Sequence, residues 1–185
     1  MKPKYRLLEH PFYQAWNEGN ISIEQLSKYG ASYAEFIERI PGYWQKIAQA
    51  FAEQQTVADE IIAEETDHIP LWNKWTDKLE KQDDFPRMTK IFEAFENMTA
   101  SELLGAIHAF EIQQPEVAET KKCGLLDHYG FENSDLTYFD EHMQEEKHIA
   151  YGRHLAEKFA RKSEFNAGFE KGSKLIYDGL NLFMN

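Results

Sequence analysis

An all-α, single-domain fold is predicted by three features of this 185-residue chain. Apolar residues recur at spacings of three and four along most of its length. Capping boxes, glycines and prolines punctuate it at intervals that suit ordinary helices. No segment shows the two-residue alternation or the tight hairpin turn of a strand ladder. A hydrophobic content of 42% with 14% aromatics supplies enough side chain for one substantial core.

Taken in order, a first helix is expected from about Tyr5 to Glu18, stopped by Gly19-Asn20. Ser22 and Gln25 form a capping box for the next, whose apolar face is Leu26, Tyr29, Tyr33, Phe36, Ile37 and Ile40. Pro41-Gly42 breaks or bends that element before Tyr43-Trp44 resumes it. Thr56 offers the next N-cap, with Asp59 and Glu60 in the first turn, and Pro70 predicts a kink further along. Residues 80–84 are polar and read as a loop, followed by a short helix from Pro86. Thr99 and Glu102 form a second capping box, opening a helix through Leu103, Leu104, Ile107, Phe110 and Glu111. A helix from Glu116 ends at Tyr129-Gly130. One long helix is expected from Ser134-Asp135 to Ala160, and a last one from Phe165 to Phe183.

Charge and composition exclude several functions. A net charge of −12 without a basic stripe would repel a phosphate backbone, so no nucleic-acid partner is expected. No apolar run reaches the length a membrane span needs, and the N-terminus lacks the apolar core of a signal peptide. The lone Cys123 cannot form an internal disulfide, which fits a reducing cytoplasm. The expected localisation is therefore cytoplasmic, with no membrane partner.

The chemistry concentrates in three segments. His142, Glu145 and His148 follow one another at intervals of three, so their directions span roughly a third of a helix circumference. Glu64 and Glu65 lie four and three residues before His68, and either carboxylate can share its face. Glu111 sits beside the apolar stripe of its helix, where an isolated carboxylate is costly. Carboxylates and imidazoles from separate helices are the donor set of dinuclear iron and manganese sites in bundles, and Glu-x-x-His occurs twice. Any one of these motifs alone is ordinarily a solvated charged face; the constellation favours a metal site. His10, His108, His128 and His154, and Cys123, read as structural. Tyr13, Tyr29, Tyr33 and Tyr43 read as core aromatics, and Lys121 as a solvated helix charge.

The stretches Leu8-Glu-His-Pro-Phe-Tyr-Gln-Ala-Trp16, Asp67-His-Ile-Pro-Leu-Trp72, Phe110-Glu-Ile-Gln-Gln-Pro-Glu-Val-Ala118 and His128-Tyr-Gly-Phe131, leading into Tyr138-Phe-Asp-Glu-His142, carry a resemblance that runs nearly end to end. The chain resembles the haem-oxygenase-like di-metal oxidases, and within them the chlamydial-type p-aminobenzoate synthases. The resemblance implies a single-domain haem-oxygenase-like bundle of seven to eight helices over residues 1–185, as in thiaminase II and the pyrroloquinoline-quinone synthase, without haem. It implies two metal ions, iron or iron/manganese, with dioxygen as co-substrate. The implied ligands are Glu64, His68, Glu111, His142, Glu145 and His148. It further implies Tyr13 as a sacrificed ring source, Tyr29 as a second participating tyrosine, and Lys121 as amino donor. The chain departs from the family spacing, which places the first glutamate seven residues before its histidine and the last motif as His-x3-Asp/Glu-x2-His. Glu64 against Glu65, and His142 against Glu141, therefore stay open.

The resulting expectation is an oxygen-activating dinuclear enzyme that makes p-aminobenzoate from its own tyrosine. The alternatives are an oxidase of the same superfamily acting on an external small molecule, and a non-enzymatic protein-binding module. The expected partners are a small molecule or the protein's own tyrosine, with homodimerisation left open.

Overall fold

A computed structural model describes residues 1–184. Ten α-helical segments and three short 3-10 turns make up its regular structure, with no strand among the described residues. The helices are α1 (Pro11–Asn17), α2 (Ile23–Ile37), α3 (Ile40–Phe51), α4 (Gln55–Thr76), α5 (Thr89–Glu96), α6 (Ala100–Glu111), α7 (Gln114–His128), α8 (Thr137–His142), α9 (Glu146–Lys158) and α10 (Lys162–Gly179). Counting the interrupted pairs α2/α3 and α8/α9 as one rod each gives eight, in keeping with the bundle expected.

Helix α6 is the axis of the molecule. Both halves of the Thr99–Glu102 capping box are formed, and every residue from Leu103 to Glu111 is buried. A helix apolar nearly all round has to be covered on every side, and α10, α9, α3 and α7 do so. The α10 contact is close because Gly105, Gly168 and Gly172 line it. A Cβ at Gly168 would run into the backbone carbonyl of Glu102, and one at Gly172 into Ala106.

Helix α4 buries Ala58, Ile61, Glu65, His68, Trp72 and Trp75, a stripe of alternating three- and four-residue steps. Two polar residues thus occupy core positions between an isoleucine and two tryptophans. Trp72 donates to the Gly30 carbonyl at 3.0 Å, tying α4 to α2.

Several boundaries differ from expectation. The first helix is a 3-10 turn, Leu7–Glu9, followed by α1, because His10 precedes Pro11 and takes extended backbone (ψ 138°). The His10 ring then accepts from the Phe12 amide at 3.1 Å and caps α1. Helix α4 starts at Gln55 behind a left-handed Gln54, without the Thr56 cap. It also runs unbroken through Pro70, which is exposed together with Thr66, so water can solvate the carbonyl that proline leaves free. The helix expected from Pro86 starts at Thr89, and the last helix spans Lys162–Gly179 before a 3-10 turn. The most consequential difference is in the segment expected as one helix from 134 to 160. It is a 3-10 turn, then α8, a turn over residues 143–145, and α9. Among the described residues, no helix is long and apolar enough to cross a membrane.

Candidate metal centre

The interruption between α8 and α9 lies inside the His142–His148 motif. On an unbroken helix the three side chains would fan across about 120°. With the turn between them, all are buried, at 2%, 2% and 4% exposure. Glu141, the alternative to His142, is exposed.

Helix α4 supplies Glu65 and His68 from its core stripe, 3% and 7% exposed. Glu65, not Glu64, is the carboxylate inside; the Glu64 side chain is 43% exposed at the rim. Glu111, the last residue of α6, is 1% exposed and accepts from Trp44 Nε1 at 3.3 Å. These residues converge on two overlapping groups, Glu65–His68–His142 and Glu65–Glu111–His148. Within each, one donor atom per residue lies within 4.8 Å of the others. Glu145 joins the second group through Oε2, 2.7 Å from His148 Nδ1, and reaches toward the first through Oε1, 3.7 Å from His142 Nε2.

The donor set fits divalent metal. His148 Nδ1 lies 3.1 Å from Glu65 Oε1 and 3.9 Å from Glu111 Oε2. Yet this nitrogen and both oxygens of Glu145 are buried without a properly aligned hydrogen bond. Donors that crowd together without aligning to each other are arranged around a shared point. Three buried carboxylates share this space with three imidazoles, and crowding carboxylates together away from water is expensive unless a cation compensates them. Burial and the Glu145 charge push Glu111 up to about 8, and burial raises Glu145 as well. Burial opposes ionisation of Glu65 too, but the close imidazoles of His148 and His68 outweigh it and hold that carboxyl at about 2. Burial and the adjacent His68 keep His142 neutral, at about 3. Its Nδ1 donates to the Tyr138 carbonyl at 2.8 Å, which leaves Nε2 as a free donor atom.

A second buried group lies beside the cluster. Lys121 on α7 is 1% exposed, with Nζ 4.5 Å from the ring centre of Tyr33 and 5.5–5.7 Å from those of Tyr29, Trp72 and Tyr13. Burial alone drops its ammonium to about 7. The hydroxyls of Tyr13 and Tyr29 are 3.2 Å apart, and burial raises both phenols. Tyr138 joins the two regions, stacked on His142 at 3.9 Å and edge-on to Trp72 at 4.8 Å.

The structure therefore gathers Tyr13, Tyr29 and Lys121 in one place and His68, Glu111, His142, Glu145 and His148 in another, with Glu65 inside and Glu64 outside. Sequence reasoning missed Trp44 as a partner of Glu111, and Tyr138 and Trp72 as the wall between the groups. Trp44 meets Glu111 across 67 residues, with no local signal.

The fold is a TenA-like helical bundle. No family model matches the chain. A TenA homologue from Pseudomonas syringae superposes with a TM-score of 0.74 at 14% identity, covering 98% of this chain and 87% of that one. A CADD-like protein of unknown function from Nostoc punctiforme gives 0.70 at 18% identity, covering 97% and 89%. In sequence, the 4-aminobenzoate synthase of Chlamydia muridarum is 28% identical over 84% of this chain and 74% of its own length. The 4-aminobenzoate synthase of Nitrosomonas europaea is 28% identical over 97% and 84%. The chain is thus similar in sequence to 4-aminobenzoate synthases and in fold to TenA and CADD-like proteins.

Proposed function

We propose that this protein is an oxygen-activating dinuclear enzyme that makes 4-aminobenzoate from its own Tyr13, with Lys121 as the nitrogen source. One observation supports the reading above the others: a fully buried lysine with no carboxylate partner among the described residues, set among the rings of Tyr13, Tyr29 and Tyr33. A bundle does not bury a bare ammonium for stability. With its pKa brought down to about 7 by burial, a large fraction of Lys121 is free amine at neutral pH, the form that forms a C–N bond.

Glu65, His68, Glu111, His142, Glu145 and His148 would hold the two ions, iron or iron/manganese. Those ions, when bound, supply the oxidising power of dioxygen. The product retains six ring carbons and one carboxyl carbon, so Tyr13 would keep its Cβ and break its Cα–Cβ bond. Its phenolic oxygen would leave as water as Lys121 Nζ takes its place, the Nζ–Cε bond would then break with oxidation of Cε to an aldehyde, and Cβ would gain its two carboxylate oxygens from dioxygen or water, dioxygen being the oxidant. The Tyr29 hydroxyl holds the Tyr13 hydroxyl in place, and burial keeps both protonated until the reaction. Tyr138, Trp72 and Tyr33 exclude water between the cluster and Tyr13.

The test is intact-mass spectrometry and peptide mapping after supplying iron and manganese, a reductant and oxygen. The expected result is 4-aminobenzoate in no more than one equivalent per chain, with mass lost from the peptides holding Tyr13 and Lys121. Product formed while the Tyr13 peptide stays unchanged would overturn self-sacrifice.

A further inference from the structure

We infer that Glu64 is a positioning residue: it accepts a hydrogen bond from His148 Nε2 and thereby presents His148 Nδ1 to the metal. The inference rests on the dinuclear reading above and gives the two adjacent glutamates of α4 different tasks.

The two nitrogens of His148 face different surroundings. Nε2 lies 3.2 Å from Glu64 Oε2, at the rim. Nδ1 lies inside, at 2.7 Å from Glu145, 3.1 Å from Glu65 and 3.9 Å from Glu111. The Glu64 side chain is itself anchored, with Oε1 paired to Lys147 Nζ, which also reaches Glu60 Oε2 at 3.4 Å. An ammonium against one oxygen keeps Glu64 ionised, and an ionised carboxylate can only accept. Nε2 therefore carries the hydrogen, and in the neutral imidazole a metal requires, the lone pair is left on Nδ1.

His142 shows the same device with the ring reversed. There Nδ1 donates to the Tyr138 backbone carbonyl and Nε2 faces the cluster. The two histidines are thus presented through opposite nitrogens, each fixed from outside by an acceptor. For His142 that acceptor is main chain. For His148 it is a carboxylate, which strengthens the imidazole as a donor more than a carbonyl does. Because Glu64 is at the surface, replacing it leaves the core stripe of α4 intact.

Manganese(II) binding, followed by electron paramagnetic resonance, should be compared for wild type, Glu64→Ala, Glu64→Gln, Lys147→Ala and Glu65→Gln. Zinc(II)-loaded samples would report the His148 ring N–H by long-range nitrogen-15 correlation, a readout independent of activity. Glu64→Ala should weaken manganese binding by about 10- to 100-fold and speed exchange of the His148 Nε2 hydrogen. Glu64→Gln keeps an acceptor oxygen and should lose less, with Lys147→Ala between the two. Wild-type affinity and an unchanged His148 N–H in Glu64→Ala would overturn the inference while leaving the metal site standing. Loss of a whole metal equivalent in Glu64→Gln would also overturn it, by making Glu64 a ligand. If wild type and Glu65→Gln alike bind no metal, the dinuclear reading fails and this inference with it.

Discussion

Replacing Lys121 by methionine should stabilise the protein while abolishing its chemistry. The side chain is fully buried, and burial is the cause that brings its ammonium from 10.5 to about 7. At about 1.4 kcal/mol per tenfold change, that displacement is worth about 5 kcal/mol against folding. The folded state holds its proton less tightly than the unfolded chain. The penalty is therefore complete below about pH 7, shrinks as pH rises, and vanishes above about 10.5. Methionine matches the stem in length and carries no charge, but forfeits the contacts of the ammonium with four aromatic faces. These are worth on the order of 1–2 kcal/mol together, because the cation is shared among them. The neutral amine present at pH 9 makes no such contact, so a net gain of about 3 kcal/mol is expected at pH 6, falling to about 2 kcal/mol at pH 9. Urea unfolding of both proteins at the two pH values measures it. Equal stability at pH 6, or a gain that does not shrink toward pH 9, would show that the lysine is compensated and refute the reasoning. Under the proposed function the same variant makes no 4-aminobenzoate.

Glu65→Gln should reduce metal capture more than Glu145→Gln, since Glu65 belongs to both donor groups; bound manganese counted after gel filtration checks this. Gly168→Ala forces a methyl into the Glu102 carbonyl and should cost roughly 3 kcal/mol or more, read as a fall in the urea midpoint without change in slope. Thr99→Ala removes one half of the α6 capping box and should cost about 1 kcal/mol, measured the same way.

How much was legible in advance depended on whether the signal was local. Both capping boxes, at Ser22 and Thr99, form as read, because each is complete within four residues. Glu65 was distinguishable from Glu64 by register: it continues the stripe through Ala58 and Ile61 to Trp72 and Trp75, and Glu64 does not. Lys121 reads as a surface charge in isolation. It nonetheless shares a stripe with Val117, Ala118, Gly124 and Leu125, all buried on α7, so its burial too lay within reach of periodicity. The turn at 143–145 was not legible. Nothing in Met-Gln-Glu breaks a helix, and what selects the turn is the packing of His142, Glu145 and His148 against α4 and α6, across some 80 residues of sequence. The partnership of Trp44 with Glu111 is likewise a property of the assembled bundle.

That turn has a consequence for how the interior exchanges with solvent. The amide of Gln144 donates to the Glu141 carbonyl and that of Ile149 to Glu145. Residues 143–145 form a turn outside both helices, and the first amides of α9 have no partner within that helix, as at any helix start. Two separate helical ladders therefore meet at the cluster, and the junction can open without melting either one. Deuterium should enter the amides of this turn and of the first turn of α9 sooner than those beyond Ile149, marking a readily parted seam in the bundle at the point where its buried carboxylates meet.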